Sequence, residues 1–233
     1  VKFIIRGDDK SNAEGFVAKY LDDKAMSQPA AAIYMAAKEI SRLSVHAEKM
    51  IDSMKNAISK RNTAEIRDKY VEEHTKVKEL QDIIVDFVTK LIASGNLTEK
   101  QAEHAAGLMV VSNNIDRIAD RCEEVDILYK KILDNGHVLS DAAISDLTEC
   151  MNMTEKLFNE SMEAIIKGDK ETPDKVAADK KKIRKLQRQA SKAHLGRVKK
   201  NTCARSLTTD YSALLYSMDR MADNCISIAE EAI

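Results

Sequence analysis

The sequence predicts an all-α fold of two tandem antiparallel three-helix bundles, six long helices in total. Three observations lead there. Gly numbers only 7 and Pro only 2 in 233 residues, so turn residues are scarce. Apolar residues recur at steps of three and four over long stretches, the spacing of one helix face. A seven-residue segment also returns at an offset of 103 residues, which signals internal duplication.

Taken in order, residues 1–28 read as an N-terminal linker segment, with a short helix expected from about Glu14 to Leu21. Pro29 suits the first turn of a helix running to about residue 60. Its stripe is Ile33, Ala37, Ile40, Leu43, Ala47, Met50, Met54 and Ile58. Asn62 and Thr63 can cap a second helix bearing Val77, Leu80, Ile84, Phe87 and Leu91, which stops at Ser94-Gly95-Asn96. Thr98 with Gln101 makes a capping box for a third helix, and Asp134-Asn135-Gly136 ends it. The first repeat thus spans residues 29–136 and the second 137–233. Ser140 starts a fourth helix with Ile144, Leu147, Met151, Phe158 and Ile165, broken by Gly168 through Pro173. A fifth helix is expected at about 174–197, then a loop, then a sixth from about Thr209 to the end.

In the repeat, Asp116-Arg117-Ile118-Ala119-Asp120-Arg121-Cys122 aligns with Asp219-Arg220-Met221-Ala222-Asp223-Asn224-Cys225, with five of seven positions identical. The stripe Val111, Ile115, Ile118, Cys122, Val125 matches Leu214, Met218, Met221, Cys225, Ile228. A weaker match joins the first and fourth helices, so a whole helical unit is duplicated.

Composition limits function. The 37 basic and 38 acidic residues leave a formal charge of −1, without the basic excess of a general nucleic-acid binder. No run of about 18 apolar residues is available to span a membrane. The four cysteines form no C-x-x-C pair, and Cys122 and Cys225 lie on apolar stripes, so reduced thiols in a cytosolic setting are expected. The five histidines show no metalloprotease spacing; His46 near Glu48 is the least ordinary. No Gly-rich phosphate loop and no nucleophile elbow appears.

Two pairs of carboxylates stand out. Asp116 and Asp120 are four apart on a helix and share a face, as do Asp219 and Asp223. Like charges at this spacing repel, and a cation between them would offset the cost. Carboxylates suit a hard or borderline ion such as magnesium, calcium, manganese or iron. The plainer reading is an ion-pair network, with Arg117 and Arg220 or lysines of another helix as partners.

The Asp-Arg-Ile-Ala-Asp and Asp-Arg-Met-Ala-Asp segments resemble the signature of PhoU domains. That resemblance implies tandem three-helix bundles that regulate phosphate uptake, some of which bind metal clusters through such acidic motifs. Two further stretches, Tyr20–Lys24 with Ser27–Ala32 and Ala193–Val198, look like the PhoU region of bacterial sodium/phosphate cotransporters. The resemblance implies a non-catalytic cytoplasmic domain on the inner side of the plasma membrane, with the transporter's membrane domain as partner and a second copy of the chain as a further candidate. The first residue, Val1 and not Met, suits a fragment of such a protein. A free-standing PhoU-type regulator of an ATP-driven importer and its sensor kinase is the alternative, and a metal-dependent hydrolase ranks last.

The sequence departs from the family where second-helix acidic ligands are expected. By apolar register those positions hold His74 and Lys78 in the first repeat and Lys180 and Arg184 in the second. The expectation is that Lys78 faces Asp116/Asp120 and Arg184 faces Asp219/Asp223, as ion pairs in place of metal ligands. Finally, Lys181, Lys182, Lys185, Arg188 and Lys192 belong to a basic run on the fifth helix. It is either a solvated face or a contact surface for anionic lipid or a partner.

Overall fold

The computed structural model describes residues 17–62, 64–169 and 171–232, and of residues 64–67 the backbone alone. A short 3-10 turn over Asp23–Ser27 leads into α1 (Pro29–Lys60), α2 (Ala64–Ala93), α3 (Glu99–Asp134), α4 (Asp141–Lys167), α5 (Thr172–Lys199) and α6 (Leu207–Ala229). The described residues contain no strand. The fold is therefore the predicted all-helical one.

Local chemistry sets the helix ends. Pro29 opens α1 at its first turn, where its missing N–H costs nothing. Thr98 and Gln101 form a reciprocal capping box at α3, the backbone N–H of Thr98 donating to Gln101 Oε1 at 2.9 Å. Ser140 Oγ accepts from the Ala143 N–H at the start of α4. Gly136 and Gly168 close α3 and α4 with φ of 68° and 62°, a left-handed region that a side chain disfavours.

Three boundaries differ from the sequence expectation. The residues 14–16 of the expected first helix lie outside the described residues, as does the cap Thr63; residues 17–22 are not helical. Their backbone is instead held by a side chain. Glu39 of α1, fully buried, accepts the N–H groups of Lys19 at 3.0 Å and Tyr20 at 2.8 Å. It also pairs with Arg42, which donates to the Val17 carbonyl at 3.0 Å. A helix there would consume the N–H groups that Glu39 takes. Helix α5 begins before Pro173, which occupies its first turn instead of ending the break, and α6 begins two residues early at Leu207.

Each unit packs its three helices together, and the two units then pack α1 on α4 and α3 on α6. Those four helices form the centre; α2 lies outside α1 and α3, and α5 outside α4 and α6. Helices α3 and α6 run antiparallel, as cross-unit bonds show. Ser217 donates to Glu124 at 3.0 Å, and Lys131 to Asp210 at 2.8 Å. Across the α1/α4 seam, Lys55 reaches Glu155 at 2.7 Å and Arg61 pairs with Asp141. The repeat stripe of α3 and α6 is buried throughout, including Ile118, Cys122, Met221 and Cys225. The four cysteines are free and buried. Burial pushes the Cys150 thiol up to about 12 and those of Cys122 and Cys225 higher still, so they stay protonated and act as small apolar groups.

Candidate functional site

The two Asp-Arg-x-Ala-Asp segments lie on α3 and α6, with the intervening apolar residues buried and the aspartates at the rim of the core. The rim is where each inner helix meets the outer helix of its own unit. Lys78 of α2 extends its ammonium between the first pair, 2.8 Å from Asp116 Oδ1 and 2.7 Å from Asp120 Oδ1. Burial disfavours that ammonium, but the bonds to the two carboxylates outweigh burial and raise the Lys78 pKa. His74, one turn earlier, sits 3.4 Å from Asp120 and 3.9 Å from Glu123. Tyr70 stacks on the far side of that imidazole, ring centroids 6.1 Å apart.

In the second unit, α5 supplies two cations. Lys180 pairs with Asp223, and Arg184 Nε lies 3.7 Å from Asp219. Arg220 of α6 itself donates to Asp223 at 2.7 Å. Arg117, its counterpart on α3, is exposed and makes no ion pair among the described residues. So His74, Lys78, Lys180 and Arg184 all come to the aspartates, while only one of the two motif arginines does.

Among the described residues, one group of three, His74, Asp120 and Glu123, brings ligand atoms within 4.8 Å of one another. Glu123 was not singled out from the sequence, although its spacing of three from Asp120 puts it on the same helix face. Asp120 is shared with Lys78, whose ammonium already lies at hydrogen-bond distance. Asp219 and Asp223 belong to no such group, and cations of α5 stand against them. Paired carboxylates that already hold lysine and arginine do not fit a metal cluster.

Other polar residues proved structural. His46 meets Glu73 of α2, its Nδ1 2.5 Å from Oε2. Burial lowers the His46 pKa despite that carboxylate. His194 is buried, stacked on Tyr211 at 4.4 Å, and burial and the nearby Arg197 hold its pKa down. On α5, Lys182 pairs with Asp179 at 2.6 Å, whereas Lys181, Lys185, Arg188 and Lys192 are exposed and make no ion pair among the described residues. No helix among the described residues is long and apolar enough to cross a membrane.

The family comparison fits this duplicated geometry. The PhoU domain matches residues 40–134 and again residues 147–232, one match per unit. This chain belongs to the PhoU domain family. Among solved structures, it resembles the crystal structure of PhoU from Pseudomonas aeruginosa with a TM-score of 0.81 at 16% identity, covering 88% of this chain and 97% of that one. At that identity the likeness speaks for the PhoU fold alone. No curated protein matches.

Proposed function

We propose that this chain is a non-catalytic regulator of phosphate transport that acts by contact with transport components, and that its aspartate pairs are held by its own cations in place of metal. The observation that carries the reading is the repeated seam. At the same place in both units, a PhoU-type aspartate pair on an inner helix meets basic side chains of the outer helix, Lys78 in one and Lys180 with Arg184 in the other. Each seam ties an outer helix to the bundle through ion pairs between carboxylates and basic side chains. The seam can therefore set how α2 and α5 are presented to a partner, which is a regulatory role and not a catalytic one.

Two settings fit this role. In the first, the chain is the cytoplasmic PhoU region of a sodium-dependent phosphate transporter, lying against its membrane domain. The resemblance of Tyr20–Lys24, Ser27–Ala32 and Ala193–Val198 to that subfamily supports it. In the second, the chain is a free-standing PhoU-type regulator of an ATP-driven importer and its sensor kinase. The near-complete coverage of the Pseudomonas aeruginosa PhoU chain favours this one. The coding sequence upstream of Val1 separates them: membrane spans mark the first, a nearby start codon the second.

Phosphate uptake in the source cell tests the common reading. Deleting the protein, or replacing it by the Asp116→Asn/Asp120→Asn/Asp219→Asn/Asp223→Asn variant, should alter the rate of uptake or its response to external phosphate. Unchanged uptake in both strains would sink the regulatory role. Elemental analysis of the two purified proteins should find equal, low metal; metal present in the natural protein and lost in the variant would overturn the built-in cations. Phosphatase turnover with manganese or magnesium that disappears in Asp120→Asn/Asp223→Asn would reverse the non-enzyme reading.

A further inference from the structure

Helix α5 holds ten basic residues and two acidic ones, although the whole chain is close to neutral. Its buried residues, Val176, Asp179, Ile183, Gln187, Ala190 and His194, lie along one side. The exposed cations Lys181, Lys185, Arg188, Lys192 and Lys199 are spaced by two fours, a three and a seven, so they fall within an arc of about 60° at 3.6 residues per turn. That arc is opposite the buried side. It extends over about 27 Å at 1.5 Å per residue. None of the five makes an ion pair among the described residues. Leu195 lies about 20° beyond the edge of that arc and is 47% exposed. Helix α5 packs on α4 and α6, and the exposure of the five side chains shows that nothing in the described chain covers this face.

The outer helix of the other unit is mixed in charge. Its exposed Asp68, Glu72, Asp82 and Asp86 stand beside exposed Lys69 and Lys90, with Lys76 pairing Glu72 and Lys90 pairing Asp86. The two outer helices flank the central four, so the molecule has one basic flank and one of mixed charge.

We propose that the outer face of α5 is a docking surface for an anionic lipid bilayer. A straight row of unpaired cations can meet a flat layer of headgroup phosphates along its whole length. Duplex DNA is itself a convex cylinder and would touch such a row at few points. The exposed Leu195 suits the headgroup boundary, where an apolar side chain can enter, and not a hydrated phosphate backbone. Lysine stems can lie along the surface while their ammonium groups reach the headgroups. The flank on α2, of mixed charge, has no such row of cations, so the asymmetry also fixes which side docks. This inference does not depend on the regulatory reading, and its failure would leave the aspartate seams as they are.

The test is co-sedimentation of the full chain with vesicles of phosphatidylcholine alone and of phosphatidylcholine mixed with phosphatidylglycerol. The mixed vesicles should bind at least about tenfold more strongly at low salt, because each basic residue near an anionic surface contributes up to about fivefold. Binding should weaken as sodium chloride is raised. The Lys181→Gln/Lys185→Gln/Arg188→Gln/Lys192→Gln variant should lose most of it while keeping the circular dichroism and melting of the parent, since all four positions are exposed. Asp82→Asn/Asp86→Asn on α2 should bind at least as well as the parent. Equal binding to both vesicle types, or undiminished binding by the four-fold variant, would overturn the proposal. So would release by inorganic phosphate at constant ionic strength, which would assign the cations to a soluble phosphate. Tight binding to duplex DNA with none to vesicles would assign them to nucleic acid and overturn it equally.

Discussion

The two units place an aspartate pair at the same rim, yet they neutralise it differently. In the first, a single lysine, Lys78, bridges both carboxylates, and its side chain remains 41% exposed. His74 and Glu123 stand beside it, so three carboxylates there face one lysine. In the second, Lys180, Arg184 and Arg220 divide the two carboxylates among them, and the Lys180 side chain is only 12% exposed. That site carries an excess of positive charge. Duplication preserved the geometry of the acids, while the outer helices drifted to different cation counts. The first unit meets its aspartate pair with one lysine, the second with three cations.

The largest expected effect tests whether the units are equivalent at their cores. Ile118→Ala on α3 and Met221→Ala on α6 replace matching side chains that are wholly buried, and each should cost about 2–5 kcal/mol in urea unfolding. A difference of more than about 2 kcal/mol between them would show that the two cores are not interchangeable. Next come the seams. Lys78→Ala should cost about 1–2 kcal/mol because it takes from Asp116 and Asp120 the one ammonium that bridges them, whereas Lys180→Ala leaves Arg220 on Asp223 and Arg184 by Asp219 and should cost about 1 kcal/mol or less. Equal losses would erase the distinction drawn above.

Acid should weaken both units through their buried histidines. His46 and His194 have pKa values below the ordinary 6.5, because burial penalises the imidazolium. The unfolded chain therefore binds protons first, and stability is fully present above about pH 6.5 and lost as pH falls from there towards the lower folded values. The urea midpoint should fall across that window, and His194→Gln should flatten the fall. A midpoint that rises on acidification would contradict the burial of both rings. A smaller effect concerns cations. Lys78 already occupies Asp120, so manganese titrated into the natural protein should bind no more tightly than to the His74→Ala variant; tighter binding to the natural protein would assign His74, Asp120 and Glu123 to a metal. The smallest is Lys185→Gln on the outer face of α5, which should move stability by no more than about 0.5 kcal/mol.

How much of this was legible in the sequence depended on whether a contact is local to one helix. The helices, their caps at Thr98 and Ser140, and the buried stripes of α3 and α6 follow from short-range spacing and were readable. The apolar register Val77–Leu80 puts Lys78 on the side of α2 towards the core rim, which is as far as a register argument reaches without knowing the crossing of α2 and α3. Glu39 was not readable. A lone glutamate beside Ile40 looks like a solvated residue, and its burial depends on a preceding segment folding back to donate two N–H groups. Glu123 was hidden because it meets a histidine on another helix. The bonds between units, Lys55 to Glu155 and Lys131 to Asp210, depend on how one bundle is rotated against the other, and no spacing within the chain encodes that.

The antiparallel seam of α3 on α6, with α1 on α4 beside it, has a consequence for the gene's history. Split after residue 136, each half would present to water the apolar surface that its sister now covers, and two identical halves could cover one another in the same way. Fusion in a single polypeptide turns that meeting of separate molecules into an intramolecular event, at an effective concentration in the millimolar range for a short connection. The tether also lets one outer helix become a basic row while the other stays mixed in charge, an asymmetry that a symmetric pair of identical chains cannot evolve.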